Sequence, residues 1–209
     1  MRQLISLMLL LALFTTGNLV RAAATPQELV RSTADVILTE IKKNRELYAQ
    51  DNTRLYKMTE EKVLLHFDFK RMSQWVLGLA WRTATPDQRD RFSAEFRDLL
   101  VATYSTALLS YKDQEIIYLP MQLKPADDDV VVKTEIKQGG QPNIPIHYSF
   151  YKTPKGEWKV YDITIEGVSL VTNYRSVYVA KVKDKGMDAL IAEIANNNRQ
   201  KRAAAVAKP

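Results

Sequence analysis

No cysteine occurs anywhere in the 209 residues, so disulfides, thiolate nucleophiles and cysteine-held metals are excluded and the fold must rest on packing. Histidine is nearly as scarce, with only His66 and His147. The two lack HxxxH spacing, which leaves no expected zinc site. His66 falls near an expected helix end, where a hydrogen bond to a free carbonyl explains it. His147 falls on the strand face opposite Ile146 and Tyr148, where solvation is the ordinary fate. Asp127-Asp128-Asp129 lacks the glycine and the closing glutamate of a twelve-residue calcium loop, and reads as a hairpin turn. No GxSxG, Walker or GxGxxG pattern is present. Asp162 and Glu166 are a carboxylate pair four apart on one expected strand, but pairing with Lys or Arg is the commoner use of such groups. No metal and no cofactor is expected.

Strong charge of either sign is lacking as well. The formal net charge is +6, and part of the excess lies in the tail Arg199-Lys201-Arg202-Lys208. Nucleic acid is not expected as a partner, although a mildly basic surface can meet anionic headgroups or an acidic patch. Met1-Arg2 is followed by an apolar run, Leu4 to Phe14, broken only by Ser6, and then by Ala22-Ala23-Ala24. The run is about half the roughly 20 residues that span a bilayer. Residues 1–24 therefore read as a secretory signal peptide, cleaved after Ala22 or Ala24. Loss of Arg2 and Arg21 lowers the charge from +6 to +4. Residues 25–197 read as one domain, long enough to bury a sizeable core, and 198–209 as a disordered polar tail.

Two capping signals stand out. Thr25-Pro26-Gln27-Glu28 opens a helix whose face carries Leu29, Thr33, Val36, Ile37, Ile41 and Tyr48. Thr85-Pro86-Asp87-Gln88 opens another, expected to reach Tyr111, with Phe92, Phe96, Leu99 and Leu100 on one stripe. Val101, Tyr104, Leu108 and Tyr111 widen that stripe, as deeper burial or a cavity wall requires. Between these lie a short helix expected at 59–66 and a third from Asp68 carrying Phe69, Met72, Val76 and Leu79. From Gln114 the period changes to two, predicting strands at 114–119, 129–136, 144–152 and 157–166. Val130, Val132, Thr134 and Ile136 share one strand face; Ile144, Ile146, Tyr148 and Phe150 share the next. Two helices, 174–184 and 187–197, close the domain around Gly186. The fold class is α+β. Helices pack on a curved antiparallel sheet of four strands or slightly more and enclose an apolar cavity, in a nuclear-transport-factor-like style.

Two blocks carry a family resemblance. One is Phe67-Asp68-Phe69-Lys70-Arg71-Met72 through Val76-Leu77-Gly78 and Trp81-Arg82-Thr83-Ala84-Thr85-Pro86 to Gln88-Arg89, Phe92, Phe96 and Tyr104. The other is Trp158-Lys159-Val160-Tyr161-Asp162 through Glu166-Gly167-Val168-Ser169-Leu170 to Tyr174-Arg175. Together they resemble the MlaC family of soluble periplasmic phospholipid carriers of Gram-negative bacteria, part of which is named for toluene tolerance. The resemblance implies a carrier and not an enzyme, located in the periplasm and expected to be a monomer. Its ligand would be a diacyl phospholipid. Its partners would be an inner-membrane ABC transporter complex and an outer-membrane lipoprotein–porin complex, in a pathway that maintains outer-membrane lipid asymmetry. The family includes carriers for hopanoids, so headgroup and chain length stay open.

The candidate pocket wall comprises Val76, Leu79, Val101, Tyr104, Leu108, Val132, Ile146, Tyr148, Phe150, Ile163, Ile165 and Val168. Arg82 and Arg175 are candidates to pair with Asp162 or Glu166 at its mouth or as structural ion pairs. Two other readings remain open at this level: an enzyme that uses Asp162 or His147 on a hydrophobic substrate, and a ligand-free periplasmic interaction module.

Overall fold

Thr25 and Thr85 start two long helices in the same way. Each hydroxyl accepts from the backbone N–H three residues on, and Glu28 or Gln88 reaches back to the cap residue. In the computed structural model, which describes residues 24–206, these helices are α1 (Pro26–Gln50) and α5 (Pro86–Tyr104). Between them lie α2 (Asn52–Lys62), a 3-10 turn (Leu64–His66), α3 (Phe69–Leu77) and α4 (Leu79–Thr83). A 3-10 stretch (Ser105–Ser110) follows α5. Then come β1 (Ile116–Tyr118), β2 (Asp129–Gln138), β3 (Gln141–Lys152), β4 (Trp158–Ile165), β5 (Val168–Ser169), α6 (Leu170–Lys185) and α7 (Met187–Val206). The strands form one open antiparallel sheet in chain order, β1-β2-β3-β4-β5. The fold is α+β, with helices packed on this sheet. Among the described residues no helix is long and apolar enough to cross a membrane.

Several expectations need correction. The helix expected at 59–66 begins earlier, at Asn52, because the Asp51 side chain accepts from the Thr53 N–H and caps it, and only Leu64–His66 continues as 3-10. The helix from Asp68 does not carry Leu79 on its apolar stripe. Gly78 sits at φ 56°, ψ −121°, breaking α3 from α4 and turning Leu79 outward to 77% exposure. The helix expected to reach Tyr111 is α-helical only to Tyr104 and then tightens. A fifth short strand pairs with β4 through the two-residue turn Glu166-Gly167, whose φ values of 50° and 83° fit a type I′ hairpin. α7 runs through Val206, where a disordered tail was expected from 198. The stretch from Asn198 on is held by polar contacts rather than an apolar stripe: Asn198 donates to the Glu95 carbonyl (2.9 Å), Lys201 to Thr103 (2.8 Å) and Arg202 to Asp98 (2.7 Å). The expected leader, apart from Ala24, and residues 207–209 lie outside the described residues.

The apolar core of the described residues falls into four clusters, of which two pack the helical layer and one end of the sheet. α3, α5, α6 and α7 bury Met72, Val76, Leu77, Phe92, Phe96, Tyr178, Leu190 and Ile194 in one cluster. Phe92 and Phe96 stack at 5.8 Å, and Tyr174 and Tyr178 meet Phe96 edge-on at 5.2 and 6.3 Å. Val30 of α1 closes on Val132, Phe150, Trp158 and Val160 at one end of the sheet. A parallel bridge from Phe67 to Val160 and the bond from the Asp68 N–H to the Val160 carbonyl (2.9 Å) tie the helical layer to β4 there.

Asp162 joins sheet to helix by a different route from the expected ion pair. One oxygen accepts from the Val171 N–H (3.0 Å) and the other from the Ser169 hydroxyl (2.5 Å), at the first turn of α6. Asp162→Ala should therefore lower Tm by several degrees, as loss of ~1–2 kcal/mol of capping does in a domain of this size. Thermal unfolding and ligand content measured together check this; a loss of bound ligand at unchanged Tm contradicts it.

Candidate functional site

A cavity of about 580 Å³ lies between the inner face of the sheet and α1, α3 and the end of α5. Each wall follows from a local rule. α1 turns Leu29, Val30, Thr33, Ala34, Ile37 and Leu38 inward at helical spacing. α3 contributes Phe69 and Met72, and the α5 end contributes Leu100, Val101, Tyr104 and, past the tightening, Ser105 and Leu108. β3 presents Ile144, Ile146, Tyr148 and Phe150 by strict alternation.

On β4 alternation alone fails. Tyr148 faces Ile163 and Ser149 faces Asp162, but Phe150 faces Val160, so β4 carries one extra residue at a bulge. The even-numbered Trp158 and Val160 and the odd-numbered Ile163 and Ile165 thereby all face inward. Tyr161 and Asp162 are delivered to the outer face and the α6 junction.

Burial along the inner face locates the opening. Val132, Thr134 and Phe150 are sealed at 0%, 1% and 1% exposure, whereas Ile136, Ile144 and Ile146 are half-buried toward the Gly139-Gly140 hairpin. Ala107 and Ser110, also in the cavity wall, are exposed, so the 3-10 stretch after α5 forms part of the rim. Arg45 of α1 donates to the Leu109 carbonyl (2.6 Å) and to the Tyr111 carbonyl, and Lys42 pairs with Asp113 at 2.6 Å, tying this rim to α1.

Of the residues expected in the wall, Val101, Tyr104, Leu108, Ile146, Tyr148, Phe150, Ile163 and Ile165 line the cavity. Val76 does not, because it is fully buried in the helical cluster. Val132 is sealed into the closed end beyond the cavity. Leu79 is turned out by the Gly78 break, and Val168 is 54% exposed just past the Glu166-Gly167 turn. Among the described residues, none of Arg82, Arg175, Asp162 and Glu166 forms an ion pair. Asp162 caps α6, Glu166 is an exposed turn residue, and Arg175 lies against Gly78 with its guanidinium 3.2 Å from where a Cβ would stand. Arg82 is exposed and lends its carbonyl to Arg89.

Leu29, Thr33, Ile37 and Phe69 belong to the wall although they were read only as helix stripes; Val30, Ala34 and Leu38 join them without having been singled out, and Val36 of the expected stripe is exposed. The signal was present in the stripe's length, but nothing local distinguishes a wall from a filled core. His66 also lines the cavity; burial, and then the Lys159 cation, hold its imidazole below the usual range and favour the neutral form. His147 is half-buried on the opposite sheet face and forms no part of the cavity.

Of the hydroxyls in the wall, Thr59 donates to the Leu55 carbonyl at 2.9 Å, whereas that of Ser105 is buried without a hydrogen-bond partner. Just beyond the wall the Thr134 hydroxyl donates to the Ile146 carbonyl at 2.9 Å. Burial pushes the Tyr148 phenol up to about 12, against a smaller lowering by Thr134. Its partial exposure is therefore to the cavity and not to bulk water. Among the described residues no group of three or more potential ligands could hold a metal ion. The cavity offers an apolar volume with neutral polar atoms, suited to sequestering hydrocarbon. An acid whose pKa is raised on folding stabilises the fold fully below its unfolded value of 10.0, and this contribution disappears as pH rises toward about 12. Tyr148→Phe should accordingly show a shallower fall in Tm over that window than the wild type. Its tyrosinate absorbance titration should lack one late-titrating group.

The sequence matches the family described as MlaC protein over residues 31–196. Among curated proteins it is 26% identical to the intermembrane phospholipid transport system binding protein MlaC of Haemophilus influenzae, covering 86% of this chain and 85% of that one. It is 29% identical to the toluene tolerance protein ttg2D of Pseudomonas putida, covering 87% and 83%. Among solved structures it is similar to a phospholipid-binding protein from Ralstonia solanacearum in complex with a phospholipid. That likeness has a TM-score of 0.78 and 30% identity, over 85% of this chain and 99% of that one. With the match extending across both the helical layer and the sheet that enclose the cavity, the chain belongs to the MlaC family.

Proposed function

We propose that this protein is a periplasmic carrier that holds the acyl chains of a diacyl phospholipid in the cavity, leaving the headgroup at the rim. The observation that carries this reading is the cavity itself: about 580 Å³, walled almost wholly by aliphatic and aromatic side chains, and open at one end. MlaC proteins are phospholipid-binding transport proteins and not enzymes, and the relative from Ralstonia solanacearum holds a phospholipid. The carboxylate first in line for catalysis, Asp162, has both oxygens engaged at the start of α6. Shuttling between an outer-membrane lipoprotein–porin complex and an inner-membrane ABC transporter complex, in support of outer-membrane asymmetry, follows as the carrier's task. A monomer suffices, since one chain encloses the cavity.

The energetics favour assisted transfer. At about 0.8 kcal/mol per buried methylene, two chains with roughly 28 methylenes offer a gross ~22 kcal/mol before ordering and cavity costs. Even after those costs, spontaneous release into water is slow, so unloading needs an acceptor with its own apolar path.

Native mass spectrometry of protein purified from the periplasm should detect one bound diacyl lipid, and gentle delipidation should lower Tm as the bound state loses its ligand. Protein that emerges empty and equally stable contradicts the carrier reading. Ile146→Asp places a charge in the cavity wall at a cost of several kcal/mol wherever lipid is packed against it. Lipid content should fall to near zero while the far-UV circular dichroism stays native. Full lipid occupancy in folded Ile146→Asp protein would move the acyl chains away from β3.

A further inference from the structure

Aromatic and cationic groups gather on the outer face of α3 and α4, away from the cavity. Trp75 is 47% exposed and Leu79 77% exposed, one turn apart across the Gly78 break. The Trp75 ring stacks on Tyr161 at 6.2 Å, which fixes its orientation while leaving much of it in water. Beside it the Arg71 guanidinium lies 3.8 Å from the Tyr151 ring centroid and 5.4 Å from that of Tyr161, and its Nε is buried without a hydrogen-bond partner. Arg71, Arg89 and Lys70 border a separate cleft of about 330 Å³ whose other walls include Gln74 and Trp81. Arg175 reaches the same region from α6 through its contact with Gly78.

The charge around this patch is unbalanced. Among the described residues, Lys70, Arg71, Arg82, Arg89 and Arg175 have no ion-pair partner. Arg91, two residues beyond Arg89, holds both Asp87 and Asp188 at 2.6 Å. Two carboxylates also border the cleft. Asp68 is occupied by the Arg71 N–H and the Tyr151 hydroxyl, and Asp90 is exposed. Preset aromatics ringed by guanidinium groups have the composition of interface hot spots. Guanidinium forks match carboxylates in bidentate geometry.

We propose that the outer face of α3 and α4, centred on Trp75 and Leu79 and bordered by Arg71, Arg82, Arg89 and Arg175, is the docking surface for a protein partner presenting carboxylates around an apolar side chain. Trp75 and Leu79 lie outside the concave cleft, but Arg71 and Arg89 border it, and a concave site beside the patch favours an inserted side chain over a flat bilayer surface. The proposal rests on the carrier reading, which requires an acceptor that the protein must dock against.

The test uses the full, lipid-loaded protein as wild type, Trp75→Ala, Arg82→Glu and Arg175→Glu. Binding is measured to the inner-membrane transporter complex and to the outer-membrane lipoprotein–porin complex, each in nanodiscs, and to protein-free vesicles of phosphatidylethanolamine with phosphatidylglycerol. The expected result is roughly tenfold or greater loss of affinity for one complex in Trp75→Ala and in the charge reversals, with wild-type lipid content and Tm. Wild-type binding should also weaken with added salt. Unchanged affinity for both complexes overturns the proposal, as does wild-type protein that binds neither. A loss seen equally on protein-free vesicles overturns it in favour of an anionic bilayer. Wild-type protein that docks but carries no lipid defeats the carrier reading and leaves the docking surface standing.

Discussion

A fold that leaves an apolar cavity between its sheet and its helices has to obtain rigidity from somewhere else, and the rest of this structure follows from that constraint. The sheet layer is hollow, so α3, α5, α6 and α7 supply a dry core of their own around Phe92, Phe96, Tyr178 and Leu190. The aromatic contacts there are dense enough that burial raises the phenols of both Tyr174 and Tyr178. Only one end of the sheet is packed shut, by Val30, Val132, Phe150, Trp158 and Val160. The opposite end is braced by polar ties such as Arg45 to the rim carbonyls and by a separate apolar cluster of Ile41, Leu55 and Met58 against Leu108 and Leu109. Stability and emptiness are thus assigned to different layers of one domain.

The β4 bulge is what makes the hollow layer continuous. On a regular strand Tyr161, Ile163 and Ile165 would share the face opposite Trp158 and Val160, so Ile163 and Ile165 could not face inward together with those two. The same bulge sends Asp162 to the start of α6, where it accepts from the orphan Val171 N–H and from the hydroxyl of the cap residue Ser169. One backbone irregularity therefore serves cavity and helix junction together. It also explains why a carboxylate that looks available in the sequence is not available in space.

How much was legible in the sequence depended on whether a signal was local. The capping boxes at Thr25 and Thr85, the change of period near Gln114 and the alternation of Ile144, Ile146, Tyr148 and Phe150 are local, and each appears in the structure as read. The Gly78 break was not legible, because a three-four spacing through Val76 and Leu79 looks like an unbroken stripe. Its positive φ is visible only in the folded chain, with Arg175 against it. The extension of α7 was missed for the opposite reason. Asn198, Lys201 and Arg202 carry no apolar periodicity, and their partners on α5 lie about a hundred residues away in sequence. Wall and filled core were indistinguishable in principle: Val76 and Val132 satisfy the same apolar spacing as Ile146, and only three-dimensional burial separates them.

At α3 the cavity and the outer surface are a single helix apart. Phe69 and Met72 face the cavity, while Arg71 and Trp75, on the same two and a half turns, face outward onto Tyr151 and Tyr161. The helix is short, ends at a glycine in a backbone conformation other residues resist, and is tied to β4 near its start through Asp68 and Phe67 and near its end through the stacking of Trp75 on Tyr161. A force applied at Trp75 therefore acts on the helix that carries part of the cavity wall. Under the proposed carrier function, release of acyl chains into water would be too costly to occur unaided, and coupling of surface contact to wall position would confine unloading to an acceptor.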